Sequence, residues 1–129
     1  MSEEFKLDIV NPEKLFVSKN DVLEVVAPSL EGEMGILKNH ISIISFLKPG
    51  ILKVISKNIE ENYFIEDGIL EFKDNELSIL TSTIFDLKNS DKTYISNSLK
   101  DAEKQLQNKD INDQKRYLLT QKIDTLRQI

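Results

Sequence analysis

The stretch Pro28-Ser29-Leu30-Glu31-Gly32-Glu33-Met34-Gly35-Ile36-Leu37-Lys38-Asn39-His40 separates two apolar runs, Val22 to Ala27 and Ile41 to Leu47. It holds two of the chain's four glycines and its only histidine. Gly32 and Gly35 permit tight turns or positive φ, so a non-repetitive loop is expected between two strands. Met34, Ile36 and Leu37 stand on it beside Glu31, Glu33 and Lys38. Apolar side chains on such a loop either fold inward or are offered to a partner.

Outward from this stretch, the chain reads as short strands. The run Ile41–Leu47 is apolar and β-branched, which predicts a largely buried strand. Lys48-Pro49-Gly50 fits a turn with Pro at i+1 and Gly at i+2, the type II pattern. Upstream, Phe5, Leu7 and Ile9 alternate with Lys6 and Asp8, the period-2 signature of a strand with one buried face. A short run Leu15–Val17 follows Asn11-Pro12-Glu13, then turn-rich Ser18–Asp21 and a strand from Val22 that Pro28 ends. Downstream, Ile51–Ile55, Asn62–Glu66, Ile69–Phe72 and Leu77–Leu80 are strand-like, with turns at Ser56–Asn58, Asp67-Gly68 and Lys73–Glu76. Many short strands at this spacing predict a β-sandwich or barrel over residues 1–85.

After Phe85 the period changes. Ile95, Leu99, Ala102 and Leu106 share a helix face, as do Leu119, Ile123 and Leu126, with Leu118 at its edge. The polar segment Asn108–Asn112 separates them, and Asp113 is placed to N-cap the second helix. Residues 86–129 therefore read as an antiparallel helical hairpin, making the fold mainly β with an α appendage. Its apolar stripe is thin. At about 1.5–3 kcal/mol per fully buried large side chain, much of it used between the two helices, docking on the sandwich is worth only a few kcal/mol. Helices of about 15 residues are marginal alone, so the hairpin needs something to pack on and is expected to be movable.

Composition narrows the function. The 129 residues carry a net charge of −5, divided as −7 over residues 1–85 and +2 over residues 86–129. An acidic sandwich is a poor nucleic-acid binder. No apolar run reaches 18 residues, so no membrane insertion is expected, and the acidic Met1–Phe5 has no apolar h-region, which argues against a signal peptide. With no cysteine and one histidine, thiolate and His-rich metal sites are excluded, and a catalytic pair would rest on His40 with Glu31 or Glu33. Gly32-x-x-Gly35 only faintly echoes a phosphate cradle; it lacks a Gly-Lys-Ser/Thr ending, and its glutamates would repel phosphate. Lys122 and Arg127 on the second helix face either solvent or an acidic surface. No enzyme, cofactor or metal is read from these residues.

Several of these residues recur together in one family. Pro28, Gly32, Gly35, Leu37 and His40, then Leu47, Pro49 and Gly50, fit a Pro-Gly-x-x-Gly-x-x-Gly-x-Leu-x-x-His-Ala-Pro and Leu-x-Pro-Gly pattern. Phe5-x-Leu7-Asp8-Ile9-Val10-x-Pro12-Glu13-Lys14, the valines before Pro28, and Asp67-Gly68-Ile69-Leu70-Glu71-Phe72 with Leu77-Ser78-Ile79-Leu80 fit the rest of it. Over residues 5–85 the chain resembles the epsilon subunits of F-type ATP synthases; the hairpin agrees in architecture and length. Ser29, Asn39, Ser42 and Asp67 depart from the pattern, Asn39 in a way that keeps a left-handed backbone accessible. Lys92–Asn97 lacks the Asp and Arg of the Ile-Asp-x-x-Arg-Ala motif through which some members bind ATP, so the resemblance does not extend to ATP sensing.

The resemblance implies about ten strands followed by the hairpin, in a noncatalytic rotor subunit of the central stalk. Its implied partners are the gamma subunit, packed on a sandwich face, and the ring of c subunits. Glu31, Glu33, Met34, Ile36, Leu37 and His40 would meet the ring, while Pro28, Gly32, Gly35, Pro49, Gly50 and Gly68 shape the backbone. Lys122 and Arg127 would contact the alpha and beta subunits of the catalytic head if the hairpin regulates ATP hydrolysis. The implied place is the cytoplasmic face of a bacterial inner membrane, as a peripheral part of the complex. The competing reading is a free β-sandwich adaptor with a mobile tail.

Overall fold

The computed structural model describes residues 3–89 and 92–129. Nine strands come first: β1 (Phe5–Asn11), β2 (Lys14–Ser29), β3 (Gly32–Leu37), β4 (Ile43–Leu47), β5 (Gly50–Ser56), β6 (Ile59–Ile65), β7 (Gly68–Lys73), β8 (Glu76–Leu80) and β9 (Ile84–Asp86). A 3-10 turn at Leu87–Asn89 leads toward helices α1 (Lys92–Leu106) and α2 (Asp113–Arg127). The strands form one sheet folded into a sandwich. One layer holds β1, β8, β7 and β4, the other β2, β5, β6 and β9, with β3 on the flank of β2.

Strand β2 joins the layers. Its first half pairs with β1, from Asn11 opposite Lys14 to Phe5 opposite Val22, and its second half pairs with β3 and β5. Register shifts between Phe5 and Leu7, Ile9 and Val10, and Val22 and Glu24 mark bulges, which bend a strand and let it change layers. The expected turn at Ser18–Asp21 is therefore strand. Ser18 lies opposite Asp8 and donates its hydroxyl hydrogen to that carboxylate at 2.7 Å. Nor does Pro28 end the strand: it sits opposite Glu33 in the β2–β3 ladder, while its carbonyl accepts the Lys48 amide at 2.9 Å.

Alternation places Phe5, Leu7 and Ile9 of β1, Leu52 and Val54 of β5, Leu70 and Phe72 of β7, and Leu77 and Ile79 of β8 in one buried cluster. Phe5 and Phe72 meet edge to face at 5.6 Å, the geometry that aromatic quadrupoles favour. At the rim, Glu61 pairs with Lys19 and accepts the Tyr63 hydroxyl at 3.1 Å. Lys19 holds the Glu61 carboxyl below its ordinary range. Burial, then the hydrogen bond and charge of Glu61, push the Tyr63 phenol up.

The helices have a core of their own. Ala102, Leu119 and Ile123 are buried together, with Leu99, Leu106 and Ile111 against them. Asn112, not Asp113, is the N-cap of α2; its side chain accepts the Lys115 amide at 2.7 Å. The cap falls one residue earlier because Asn112 is extended, at φ −77° and ψ 170°, while Asp113 already opens the helix.

Candidate functional site

Residues 28–40 form a β-hairpin rather than a non-repetitive loop. Leu30 and Glu31 make the turn, and β3 returns antiparallel to β2, with Ser29 opposite Gly32 and Glu24 opposite Leu37. The Ser29 hydroxyl accepts the Glu31 amide at 3.2 Å and lies 3.0 Å from the Ser45 hydroxyl. A buried serine thus holds the turn where the family pattern has glycine. Gly32 takes φ 129°, but Gly35 does not have positive φ, and a Cβ there would meet only the Glu24 carboxylate, at 3.5 Å. Asn39 does take the left-handed backbone, at φ 67°.

The expected contact residues separate on this hairpin. Glu31, Glu33 and Leu37 are exposed and Met34 is half-buried against the core. Ile36 is fully buried, a core residue rather than a contact: on an alternating strand it points opposite to its neighbours Gly35 and Leu37. His40 is half-buried beyond the far end of β3. Its ring lies edge-on to Phe72 at 6.0 Å, and its Nδ1 is 2.7 Å from the Ile41 carbonyl oxygen. Between Glu33 and His40 lie the rest of β3 and a tight turn, closed by the His40 amide donating to the Leu37 carbonyl at 3.1 Å.

The remaining expected positions shape corners. Gly50 begins β5 without positive φ, which removes the type II turn; the reason for glycine is space, since a Cβ would fall 2.6 Å from the Pro28 Cβ. Pro49 is buried beside it. Gly68, at φ 154°, lets the Leu80 carbonyl approach to 2.7 Å from where a Cβ would be. Asp67 replaces a glycine of the family pattern and ties this corner down: its carboxylate accepts the Ser82 hydroxyl at 2.8 Å, and its carbonyl accepts the Thr81 hydroxyl at 2.7 Å.

A larger surface lies on the outside of the first layer. Ladder partners run Phe46–Ile69, Ile69–Leu80, Leu80–Val10 and Val10–Leu15, an apolar row across β4, β7, β8, β1 and β2. Ile44 extends it, and Ile44 and Phe46 are 66% and 60% exposed. Strand β4 is thus half-buried, not largely buried. The signal was present: β4 and β7 carry apolar residues at both alternating positions, more than a strand with one solvated face requires.

Lys122 and Arg127 have different partners. Lys122 pairs with Glu66 at the end of β6, and Arg127 pairs with Glu103 of α1 at 2.9 Å. Among the described residues no helix is long and apolar enough to cross a membrane, and no group of three potential ligands is placed to hold a metal ion.

An uncovered apolar sheet face, a protruding acidic hairpin and a separately cored pair of helices define a protein built to pack against others. The model of the ATP synthase delta/epsilon chain β-sandwich domain matches residues 4–86. The ATP synthase epsilon chain of Pelagibacter ubique (strain HTCC1062) is 65% identical over 127 residues, covering 98% of both chains. The epsilon chain of Clostridium botulinum (strain Hall) is 34% identical over 110 residues, 84% of this chain and 82% of its own. In fold, the chain is similar to one in the Euglena gracilis mitochondrial ATP synthase OSCP/F1/c-ring structure, at TM-score 0.79 and 21% identity, covering 99% of this chain and 82% of that one. A second likeness is to a chain in the Tetrahymena thermophila mitochondrial ATP synthase central stalk/c-ring structure, at TM-score 0.64 and 15% identity, covering 98% and 96%. The chain belongs to the epsilon chains of ATP synthase. It is thus related to a named subunit of that complex over 98% of its length.

Proposed function

We propose that this chain couples the catalytic head of a proton-driven ATP synthase to its membrane ring as a noncatalytic part of the rotor. In this reading residues 1–85 bind the rotor and residues 86–129 form a regulatory unit. The gamma subunit covers the apolar row Leu15, Val10, Leu80, Ile69 and Phe46. Exposed Glu31 and Glu33 at one end of β3, with Leu37 and His40 toward the other, meet the polar loops of the c-subunit ring. The complex places the chain peripherally on the cytoplasmic face of the bacterial inner membrane. When the hairpin leaves the sandwich, Lys122 and Arg127 reach the alpha and beta subunits and restrain ATP hydrolysis.

The observation that carries the reading is the apolar row, because isolated soluble domains seldom leave such a continuous stripe in water. Its test is co-purification with gamma. Wild type is expected to be retained by gamma, and Phe46→Glu with Ile69→Glu, both outward-facing, to lose retention while melting as before. Equal retention of the variant would remove gamma from this face. Removing residues 86–129 from the complex is expected to raise ATP hydrolysis; no change would remove the regulatory role.

A further inference from the structure

The two hydrophobic clusters do not merge: no buried residue of the hairpin's cluster is shared with that of the sandwich. The hairpin nevertheless rests on the sandwich, with α2 running close to β5. Polar and aromatic contacts cross the boundary. The Lys48 ammonium donates to the Tyr117 hydroxyl at 3.3 Å and lies 5.8 Å from that ring's centroid, and Tyr94 meets Phe85 edge to face at 5.4 Å. Tyr117 and Tyr94 are both about half exposed. A polar cleft separates Pro28, Glu33 and Lys48 from Gln121, Thr125 and Gln128, so α2 and the sandwich are not tightly packed there.

One contact differs from these. The side chains of Lys122 and Glu66 are only 16% and 29% exposed, and they form an ion pair between α2 and the end of β6. Lys122 sits three residues after Leu119 and four before Leu126, on the edge of the buried stripe of α2, so its stem is directed toward the sandwich. The Arg127–Glu103 pair is 58% and 41% exposed and joins α2 to α1, so it is internal to the hairpin. Removing one partner of a partly desolvated pair leaves the other charge uncompensated unless the surfaces separate and water returns. Separation leaves both cores intact; the apolar contact it would open is the ring pair of Tyr94 with Phe85, which stacks on the buried Phe64.

We infer that the Lys122–Glu66 pair is a latch holding the helical hairpin against the sandwich, so that breaking it releases the hairpin while both units stay folded. This holds for the isolated chain and does not depend on which complex the chain joins. It also commits Lys122: the cation is available to another acidic surface only after it leaves Glu66.

The chain has no cysteine, so spin labels can be placed cleanly at Lys73→Cys on β7 and Gln114→Cys on α2, both exposed. The distance distribution of the isolated full chain then reads docked against undocked hairpin. Glu66→Gln and Lys122→Gln are each expected to shift the docked-to-undocked ratio by about three- to tenfold toward undocked, with helical circular dichroism and the sandwich melt retained. Arg127→Gln is expected to leave the distribution unchanged. The double variant Glu66→Gln/Lys122→Gln is expected to shift the ratio no further than either single one, because it leaves no uncompensated charge. Wild-type distributions in both single variants, or full additivity in the double, would overturn the latch.

Discussion

The sandwich and the hairpin are stabilised by the same burial of apolar side chains, in very different amounts. Among the described residues the sandwich cluster contains sixteen buried side chains drawn from strands β1 to β8, whereas the hairpin cluster contains Ala102, Leu119 and Ile123. The sandwich's buried residues each touch several strands, so no strand leaves without opening the whole. In the hairpin each helix packs chiefly on the other, and its attachment to the sandwich combines the Lys122–Glu66 pair, the Lys48–Tyr117 contact and the Tyr94–Phe85 ring pair. One chain thus combines a cooperative body with a weakly attached arm, and the weak joint lies where Lys122 meets Glu66.

The largest expected effect tests the contrast directly. Leu70→Ala empties a fully buried site in β7 and is expected to cost about 2–5 kcal/mol, lowering the urea midpoint for the whole sandwich. Leu119→Ala removes as many atoms from α2, yet is expected to lower only the helical signal at 222 nm, with the sandwich midpoint unchanged. A shared midpoint shift in both variants would make the two units one cooperative block. Gly50→Ala comes next: its Cβ would meet the buried Pro28 ring at 2.6 and 2.9 Å, an expected cost of about 1–3 kcal/mol in sandwich stability by denaturant titration.

Smaller effects sharpen the comparison from the hairpin side. Asn112→Ala removes the N-cap of α2 and is expected to cost about 1 kcal/mol, visible as faster amide exchange in α2 and not in β5. The smallest effect is a pH dependence confined to the sandwich rim. Glu61 is depressed below 4.5, chiefly by Lys19, so its contribution is present above pH 4.5 and is lost as pH falls through the depressed value. Tyr63 is raised above 10.0, so its contribution is present below pH 10 and is lost as pH rises beyond it. Glu61→Gln is expected to flatten the acid limb of the urea-midpoint profile; an unchanged acid limb would place that dependence elsewhere.

Much of this architecture was legible because periodicity reports burial. Phe5, Leu7 and Ile9 alternate in the sequence and in the structure, and Leu99, Ala102, Leu119 and Ile123 meet as their helical spacing requires. The differences share a cause: polar and special residues signal breaks in the sequence, and tertiary pairing overrides them. Ser18–Asp21 stays in strand because β1 lies alongside it, and Pro28 because the ladder there uses its carbonyl. Gly35 lies in a strand and not a loop for the same reason. The apolar row was hidden differently. Phe46, Ile69 and Leu80 are far apart in sequence, and only the register of β4, β7 and β8 makes them neighbours. The partner of Lys122 had no local signature, since Glu66 lies 56 residues away in the chain.

Strand β1 has one further property with a consequence for how the protein is made. It lies antiparallel to β2 but parallel to β8, with Lys6 opposite Glu76 and Val10 opposite Leu80. Strand β1 therefore waits for β8 before its second edge is covered. Closing so long a loop costs entropy before any contact repays it, which makes such sheets slow to form. On the ribosome the nascent sandwich stays open, with the apolar side of β1 unsatisfied, until residue 80 has emerged. The helical hairpin, built from local contacts, has no such long loop to close.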